Sequence, residues 1–322
     1  MLAIFATTFP FFALVLCGYI AVRRHMLPQL AIPGLNGFVL YFALPCLLYR
    51  FGSSTPIAQL LDPGVFGVYL LAGLITVALA MVLALRAGAD WNNAAFSALV
   101  TAFPNTGFMG VPLLVALLGA RASGPVIVTL VVDLIFTTSL CVALSRLGQG
   151  DGAAAGLTPS APALRNAVSG MLRNPMPWAI AIGALASAGG LVLPGPVGRT
   201  IGLLADAASP VALFTIGAVL ARSQMNASGP SALSAFLPFA LAKLLLHPLL
   251  MLGLGHAAFV AGVPIDSFSL TVLVLVACLP SASNVALLSE RFGADTGRVA
   301  RIILVSTALS FVTFSAAVAF LT

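Results

Sequence analysis

Amide and hydroxyl side chains occur at two places where a strongly apolar stretch of this sequence is interrupted by proline. Asn105 and Thr106 lie in FPNTGFMGVP, and Ser281, Ser283 and Asn284 lie in CLPSASNVALL. Amides and hydroxyls can donate hydrogen bonds to a carboxylate, and they can also accept hydrogen bonds from backbone N–H groups. We therefore predict that these five side chains bind an anionic substrate. The alternative is that they only satisfy the interrupted backbone.

Two ionisable side chains lie inside apolar stretches and are the other candidates for chemistry. Asp133 lies in IVTLVVDLIFTT, and Lys243 lies in AKLLLHPLLM, four residues before His247 and so on the same helical face. A charge inside a membrane costs about 2.5–3.5 kcal/mol on insertion scales, so each should be paired or face a cavity. Asp133 is a candidate coupling-ion or proton site, a partner of Lys243, or part of the substrate cavity. Lys243 is predicted to face that cavity, the alternative being a fixed pair with an acid such as Asp133.

The stretches that must position these residues dominate the composition. The chain has 322 residues, of which 61% are hydrophobic and 7% charged, and its mean hydropathy is +1.13. Soluble domains carry about 25% charged residues, so the composition predicts an all-α polytopic membrane protein that lies in the lipid bilayer. Ten spans are predicted, at 2–22, 32–50, 64–86, 92–119, 125–147, 175–194, 199–221, 231–260, 267–289 and 299–321.

The basic residues indicate orientation in the membrane and not a nucleic-acid partner, because the 13 arginines are scattered between the apolar stretches. Ten of them follow odd-numbered spans and three follow even-numbered spans. This asymmetry predicts an inner (plasma) membrane protein with both termini on the periplasmic side. Residues 148–174, rich in Gly, Ala, Pro and Ser, are predicted to form a cytoplasmic linker between a five-helix repeat at 1–147 and another at 175–322.

Five spans on each side of the linker predict two halves of opposite orientation, an arrangement typical of secondary transporters. Prolines occur in corresponding spans, since Pro210 follows Pro45 at an interval only slightly shorter than the one at which Pro280 follows Pro104. Interrupted helices in corresponding spans indicate a transporter's binding site, and their N-terminal ends favour an anion. The predicted helix-breaking residues are Pro104, Gly107, Pro112 and Pro280.

The segment PNTGFMGVPLL resembles the PNTxxMGxPLL motif of the auxin efflux carrier family, within the wider group of bile acid, arsenite and riboflavin transporters. The family includes plant auxin exporters and bacterial carriers of malonate and malate. Further similar segments run along the chain: LNGFVLYFALPCLLYRF, LRNPMPWAIAIG, DAASPVALFTIGAVLA, AKLLLHPLLM and CLPSASNVALLSERFGAD. The resemblance implies two inverted five-helix repeats in which spans 4 and 9 cross at unwound centres beside the substrate. It also implies a scaffold of spans 1, 2, 6 and 7, and a homodimer.

Taken together, these features predict a secondary active transporter or uniporter of a small mono- or dicarboxylate such as malonate or malate, working by alternating access. The alternative is a sodium- or proton-coupled carrier of the sodium–bile-acid or cation/proton type, and a membrane sensor is a more remote one. Enzyme activity is not predicted, because the spans contain no HExxH pair and no Ser/His or paired-Asp arrangement. No cofactor or metal site is predicted either, because the four cysteines are dispersed singly.

Overall fold

The computed structural model describes residues 2–54, 62–147, 175–191, 193–225 and 233–322. The predicted linker 148–174 lies outside these residues. Nearly all of the described chain is helical, as the sequence predicts. Six of its helices are long and apolar enough to cross a membrane: Gln29–Ser54, Pro63–Arg86, Ala120–Arg146, Gly195–Arg222, Leu237–Val260 and Thr296–Leu321. Four shorter apolar helices accompany them: Phe9–Arg23, Thr106–Leu118, Trp178–Ala188 and Ser267–Ala277.

In the first half of the chain, turns of π-helix join several of the α-helices. The α-helices are α1 (Leu2–Arg23), α2 (Ile32–Phe38), α3 (Leu44–Ser54), α4 (Pro63–Arg86), α5 (Trp91–Ala102), α6 (Val111–Leu118), α7 (Ser123–Val132) and α8 (Thr138–Leu147). The π-turns are Val39–Ala43, Thr106–Gly110 and Asp133–Thr137. Asp62 and Asp90 fix the starts of α4 and α5, because their side chains accept hydrogen bonds from backbone N–H groups of the first helical turn.

The second half contains α9 (Pro175–Ala188), α10 (Gly195–Met225), α11 (Leu237–Leu241), α12 (His247–Val260), α13 (Ser267–Ala277), α14 (Asn284–Arg291) and α15 (Thr296–Leu321). A π-turn, Ala242–Leu246, joins α11 to α12. Helix α9 ends at Ala188, before the predicted end at 194, because Gly190 adopts a φ of 60° that stops the helix. Helix α10 is longer than the predicted span 199–221.

Helices α1 and α10 pack together at two glycines, where no side chain separates their backbones. A Cβ atom at Gly18 would lie 1.8 Å from the carbonyl oxygen of Phe214, and one at Gly217 would lie 1.8 Å from that of Val15. Such close approach between helices is typical of membrane proteins, where small residues let backbones pack directly.

Helices α3 and α9 make the same kind of contact. A Cβ atom at Gly183 would lie 2.4 Å from the carbonyl oxygen of Tyr49, and one at Gly52 would lie 2.7 Å from that of Ile180. A single interval along the chain separates each of these four residues from its counterpart in the contact between α1 and α10. It is also the interval between Pro45 of α3 and Pro210 of α10.

Helices α5 and α13 are buried on all sides toward their C-terminal ends. The residues that directly follow each helix are buried as well. Every residue from 94 to 106 and from 272 to 282 is buried. A helical segment that is covered all round by protein belongs to the core and does not present a face to lipid or water. The two interruptions that follow α5 and α13 therefore lie inside the protein.

Candidate functional site

The two interrupted segments lie against each other and satisfy each other's backbone. The N–H of Asn105 donates to the carbonyl oxygen of Pro280 at 2.8 Å, and the N–H of Ala282 donates to that of Phe103 at 2.9 Å. Between these two hydrogen bonds, Pro104 and Ser281 face each other in an isolated antiparallel bridge. Proline has no N–H to donate, so the flanking residues carry the pairing. This arrangement explains how residues that disfavour helix are tolerated within an apolar stretch.

The pairing fixes the register between the two halves at this point. The two hydrogen bonds are related by an approximate two-fold axis: the interval from donor Asn105 to donor Ala282 equals the interval from Pro104 to Ser281. The interval from acceptor Phe103 to acceptor Pro280 is the same. Pro104 therefore faces the residue that follows Pro280, and not Pro280 itself. In this register Asn284 corresponds to Gly107, and Asn105 corresponds to Ala282. The two asparagines approach the crossing from both segments without being equivalent positions.

The predicted helix-breaking residues do not all interrupt a helix. Pro104 and Pro280 lie in the non-helical segments. Gly107 lies in the π-turn Thr106–Gly110, and Pro112 lies in the first turn of α6. Pro112 does not end the helix, because the π-turn before it runs directly into α6 and residues Thr106 to Leu118 are helical without a gap.

A small crevice lies beside the crossing, with an asparagine from each interrupted segment in its lining. Its volume is about 20 Å³, and the lining includes Asn105, Asn284, Leu44 and Leu130. A water molecule needs about 10–15 Å³ of such space, so the crevice has room for about one. The structure is therefore closed around this site.

Several polar atoms at the crossing have no hydrogen-bond partner in the described part of the chain. They are the hydroxyl oxygens of Thr106 and Ser281 and the side-chain carbonyl oxygen of Asn284, all of them buried. Ser283 is half-buried, and its side chain does not cap α14. Buried polar atoms are nearly always hydrogen-bonded to protein or water. These atoms leave acceptor and donor capacity for water or a polar ligand.

Asp133 is buried on a different face of its helix from the crevice. One carboxylate oxygen accepts a hydrogen bond from the Tyr69 hydroxyl at 2.7 Å, and the other accepts one from Thr137 at 3.1 Å. The crevice is lined by the flanking Leu130 and Leu134, and Asp133 is not part of that lining. In this conformation Asp133 is a member of a buried polar cluster, and a role in substrate binding stays a prediction.

Sequence reasoning missed Tyr69 and Thr137 as the partners of this acid. Thr137 could have been identified, since it lies four residues after Asp133, within reach on one helical face. Tyr69 gives a weaker signal, because a buried tyrosine hydroxyl needs a partner but does not indicate which one.

Lys243 is fully buried and forms two hydrogen bonds outside the crevice. Its ammonium donates to the carbonyl oxygen of Ala277 at 2.8 Å and lies 2.9 Å from Nδ1 of His247. Lys243 and His247, predicted only to share a helical face, thus contact each other. Within the described chain, no ion pair of 4.0 Å or less joins Lys243 to Asp133. A cavity-facing role for Lys243 stays a prediction.

A larger, more open pocket lies near the N-terminal ends of α4 and α13. Its volume is about 510 Å³, and Asp62, Arg121 and Asp266 contribute its charged groups. Arg121 pairs with Asp266 at 2.7 Å and stacks 4.7 Å from the ring centre of Phe268. Burial favours a higher pKa for Asp266, but the hydrogen bonds from Ser269 and the charge of Arg121 outweigh it and lower the pKa. Both side chains of the ion pair are about half exposed or more, so the pair contributes little to stability.

Comparisons with known proteins agree over almost the whole chain. A family model described as "Membrane transport protein" matches residues 3–155 and 162–318. A Rhizobium meliloti protein named "Putative malonate transporter" is 31% identical over 311 residues, which are 94% of this chain and 91% of that protein. A Methanothermobacter thermautotrophicus protein named "Uncharacterized transporter" is 27% identical over 301 residues, 93% of this chain and 92% of its own. The Escherichia coli K12 "Uncharacterized transporter YfdV" is 28% identical over 204 residues, 63% of this chain and 60% of its own.

Proposed function

This chain belongs to the membrane transport protein family, and from that membership we propose that it carries a small organic anion by alternating access at the paired interruptions. Membership makes the chain a multi-pass membrane transporter and not an enzyme. The proposed substrate is a mono- or dicarboxylate of the malonate or malate class. The name of the Rhizobium meliloti relative gives malonate as the first compound to test.

One observation carries the proposal, namely the pairing of the two interrupted segments beside Asn105 and Asn284. Helical turns start just beyond the pairing, at Thr106 and at Asn284. Helix N-termini carry partial positive charge and free N–H groups, both of which favour a carboxylate. Amide N–H groups add donors of the same kind. The unpartnered oxygens of Thr106, Ser281 and Asn284 provide further polar contacts for a ligand or its water.

The proposed architecture is a ten-span inverted repeat, with one half at 1–147, a linker at 148–174 and the other half at 175–322. It is supported by two independent relations between the halves. One interval relates the glycine contact of α1 with α10 to that of α9 with α3, and a slightly longer one relates the two segments of the crossing. The glycine contacts involve α1, α3, α9 and α10, which lie in the predicted spans 1, 2, 6 and 7. We propose that these spans form one scaffold, past which the crossing bundle would move. We further propose a homodimer.

The proposed location is the inner (plasma) membrane with both termini periplasmic, from the distribution of arginines. A reporter fused to the C-terminus is expected outside the cytoplasm, and one inserted near residue 155 is expected inside. If both reporters gave the opposite result, the orientation would be wrong. If only one reporter lay on its expected side, the number of spans would be wrong.

The competing function is a carrier of the sodium–bile-acid or cation/proton type. Such carriers usually place acids at the crossing, whereas this chain has amides and hydroxyls there. The membrane-embedded acid described here, Asp133, is held by Tyr69 and Thr137 away from the crevice. These contacts favour an anion as the transported species.

The function is tested by uptake and counterflow in proteoliposomes with labelled malonate, malate and related mono- and dicarboxylates. Each compound is measured with and without gradients of protons, sodium and membrane potential. Saturable counterflow of at least one carboxylate, lost in Asn105→Ala, is expected. Transport of a cation with no carboxylate counterflow would support the competing function.

A further inference from the structure

The carbonyl end of α13 receives a side-chain ammonium inside the protein. Helix α13 ends at Ala277, just before the interruption, and the last carbonyl groups of any helix lack intrahelical partners. Lys243 reaches one of them from the π-turn between α11 and α12, at 2.8 Å from the oxygen of Ala277. A helix C-terminus carries partial negative charge. The ammonium therefore lies at the negative end of a half-helix.

The groups around the ammonium suit a single positive charge. Its second partner is Nδ1 of His247. An ammonium has only donors, so with Lys243 charged Nδ1 accepts, and a neutral imidazole then carries its hydrogen on Nε2. This Nε2 is buried and has no hydrogen-bond partner in the described chain. The other groups that act electrostatically on Lys243 are Asp133 and the Cys278 thiol. Tyr69 donates to Asp133 and lies with its ring 6.4 Å from that of His247.

Interrupted helices of secondary transporters commonly bind their coupling cation at the carbonyl ends of half-helices. We propose that the Lys243 ammonium occupies such a cation position as a tethered ion. The chain then needs no sodium for transport, and removal of the ammonium creates a site for a small monovalent cation. The ligand class is a small monovalent cation, either a primary ammonium ion or the smaller sodium ion. The statement about transport rests on the proposed function, whereas the cation site does not.

Lys243→Ala removes three methylene groups and the ammonium but keeps the carbonyl of Ala277, His247 and Asp133 in place. Methylammonium restores the lost N–H donors and the charge. The matched control is Leu244→Ala, which removes apolar atoms from the adjacent buried side chain and no charge.

The first experiment measures thermal unfolding of the purified proteins in detergent, with methylammonium, sodium or choline chloride at equal ionic strength. Lys243→Ala is expected to unfold below wild type and to recover as methylammonium concentration rises, because a ligand that binds only the folded state stabilises it. Choline is too large and serves as the reference salt. Wild type and Leu244→Ala should each unfold at a temperature that does not depend on which of the three salts is present. Equal responses of all three proteins, or no response of Lys243→Ala, would overturn the proposed site.

The second experiment uses wild type alone, so it does not depend on a variant that folds. Uptake of a transported carboxylate should proceed at the same rate in sodium and in choline media. A rate that falls tenfold or more without sodium would overturn the tethered-ion proposal while leaving the carboxylate function intact. If no carboxylate is transported at all, the proposed function fails, and the unfolding experiment still decides whether the cation site exists.

Discussion

Alanine in place of the four interfacial glycines should destabilise the protein in the order that the backbone distances set. The Cβ of Gly217→Ala would lie 1.8 Å from the oxygen of Val15, and real Cβ contacts essentially never fall below 3.0 Å, so α1 and α10 must move apart. The Cβ of Gly52→Ala would lie 2.7 Å from the oxygen of Ile180, only slightly below that limit, so a small shift of α3 from α9 relieves the clash. Overpacking costs about 1–3 kcal/mol. We expect about 3 kcal/mol at Gly217 and about 1 kcal/mol at Gly52 on that scale.

The assay is thermal unfolding of the purified variants in detergent, in which each kcal/mol shifts the melting temperature by on the order of 2–4 °C. Gly202→Ala is the matched control, because it lies in the same helix as Gly217 and no atom lies within 4 Å of the added Cβ. Gly183→Ala should fall between Gly217→Ala and Gly52→Ala. A melting temperature of Gly217→Ala equal to that of wild type, or no lower than that of Gly202→Ala, would refute the direct backbone contact.

Asn105→Ala and Asn284→Ala should each abolish carboxylate transport in proteoliposomes while the protein still inserts and folds; transport at the wild-type rate in either variant would place the substrate elsewhere. Tyr69→Phe removes a donor from a buried carboxylate and should lower the free energy of unfolding by about 1.5–3 kcal/mol, whereas Tyr41→Phe, at an exposed position, should not. The pKa of Asp266 is lowered in the folded protein, so its contribution, under about 1 kcal/mol, is present above the unfolded pKa and lost as pH falls through the folded one. Asp266→Asn should remove that part of the acid dependence of the melting temperature, and an unchanged pH profile would contradict the assignment.

The positions of the two interrupted segments could be predicted from local sequence. Proline beside asparagine in one apolar stretch, and proline beside serine and asparagine in another, indicate two interrupted helices, and the structure pairs those segments at Pro104 and Ser281. The family resemblance is confirmed over nearly the whole chain. The start of α5 follows from Asp90, a local capping residue. These features depend on neighbouring residues in the chain, which a sequence displays directly.

Each buried charged residue also has a partner that could not be predicted, because that partner lies far away along the chain. The hydroxyl that bonds Asp133 comes from Tyr69, 64 positions away. The acceptor for Lys243 is a backbone carbonyl, that of Ala277, 34 positions away. Every residue has a backbone carbonyl, so no residue type indicates this acceptor. Only the arrangement of the helices decides which carbonyl is exposed.

The narrow crevice beside Asn105 and Asn284 has a thermodynamic consequence for affinity. With about 20 Å³ of space, this conformation has no room for a carboxylate at the proposed site, so binding there requires a more open form, whose free energy relative to this one lowers the affinity. The apparent dissociation constant is the intrinsic one divided by the open fraction, and an open population of about 1% weakens binding about 100-fold. A substitution that destabilises only the closed packing would therefore tighten binding without touching the ligand. Helix packing away from the substrate thus helps to set the concentration range over which such a carrier works.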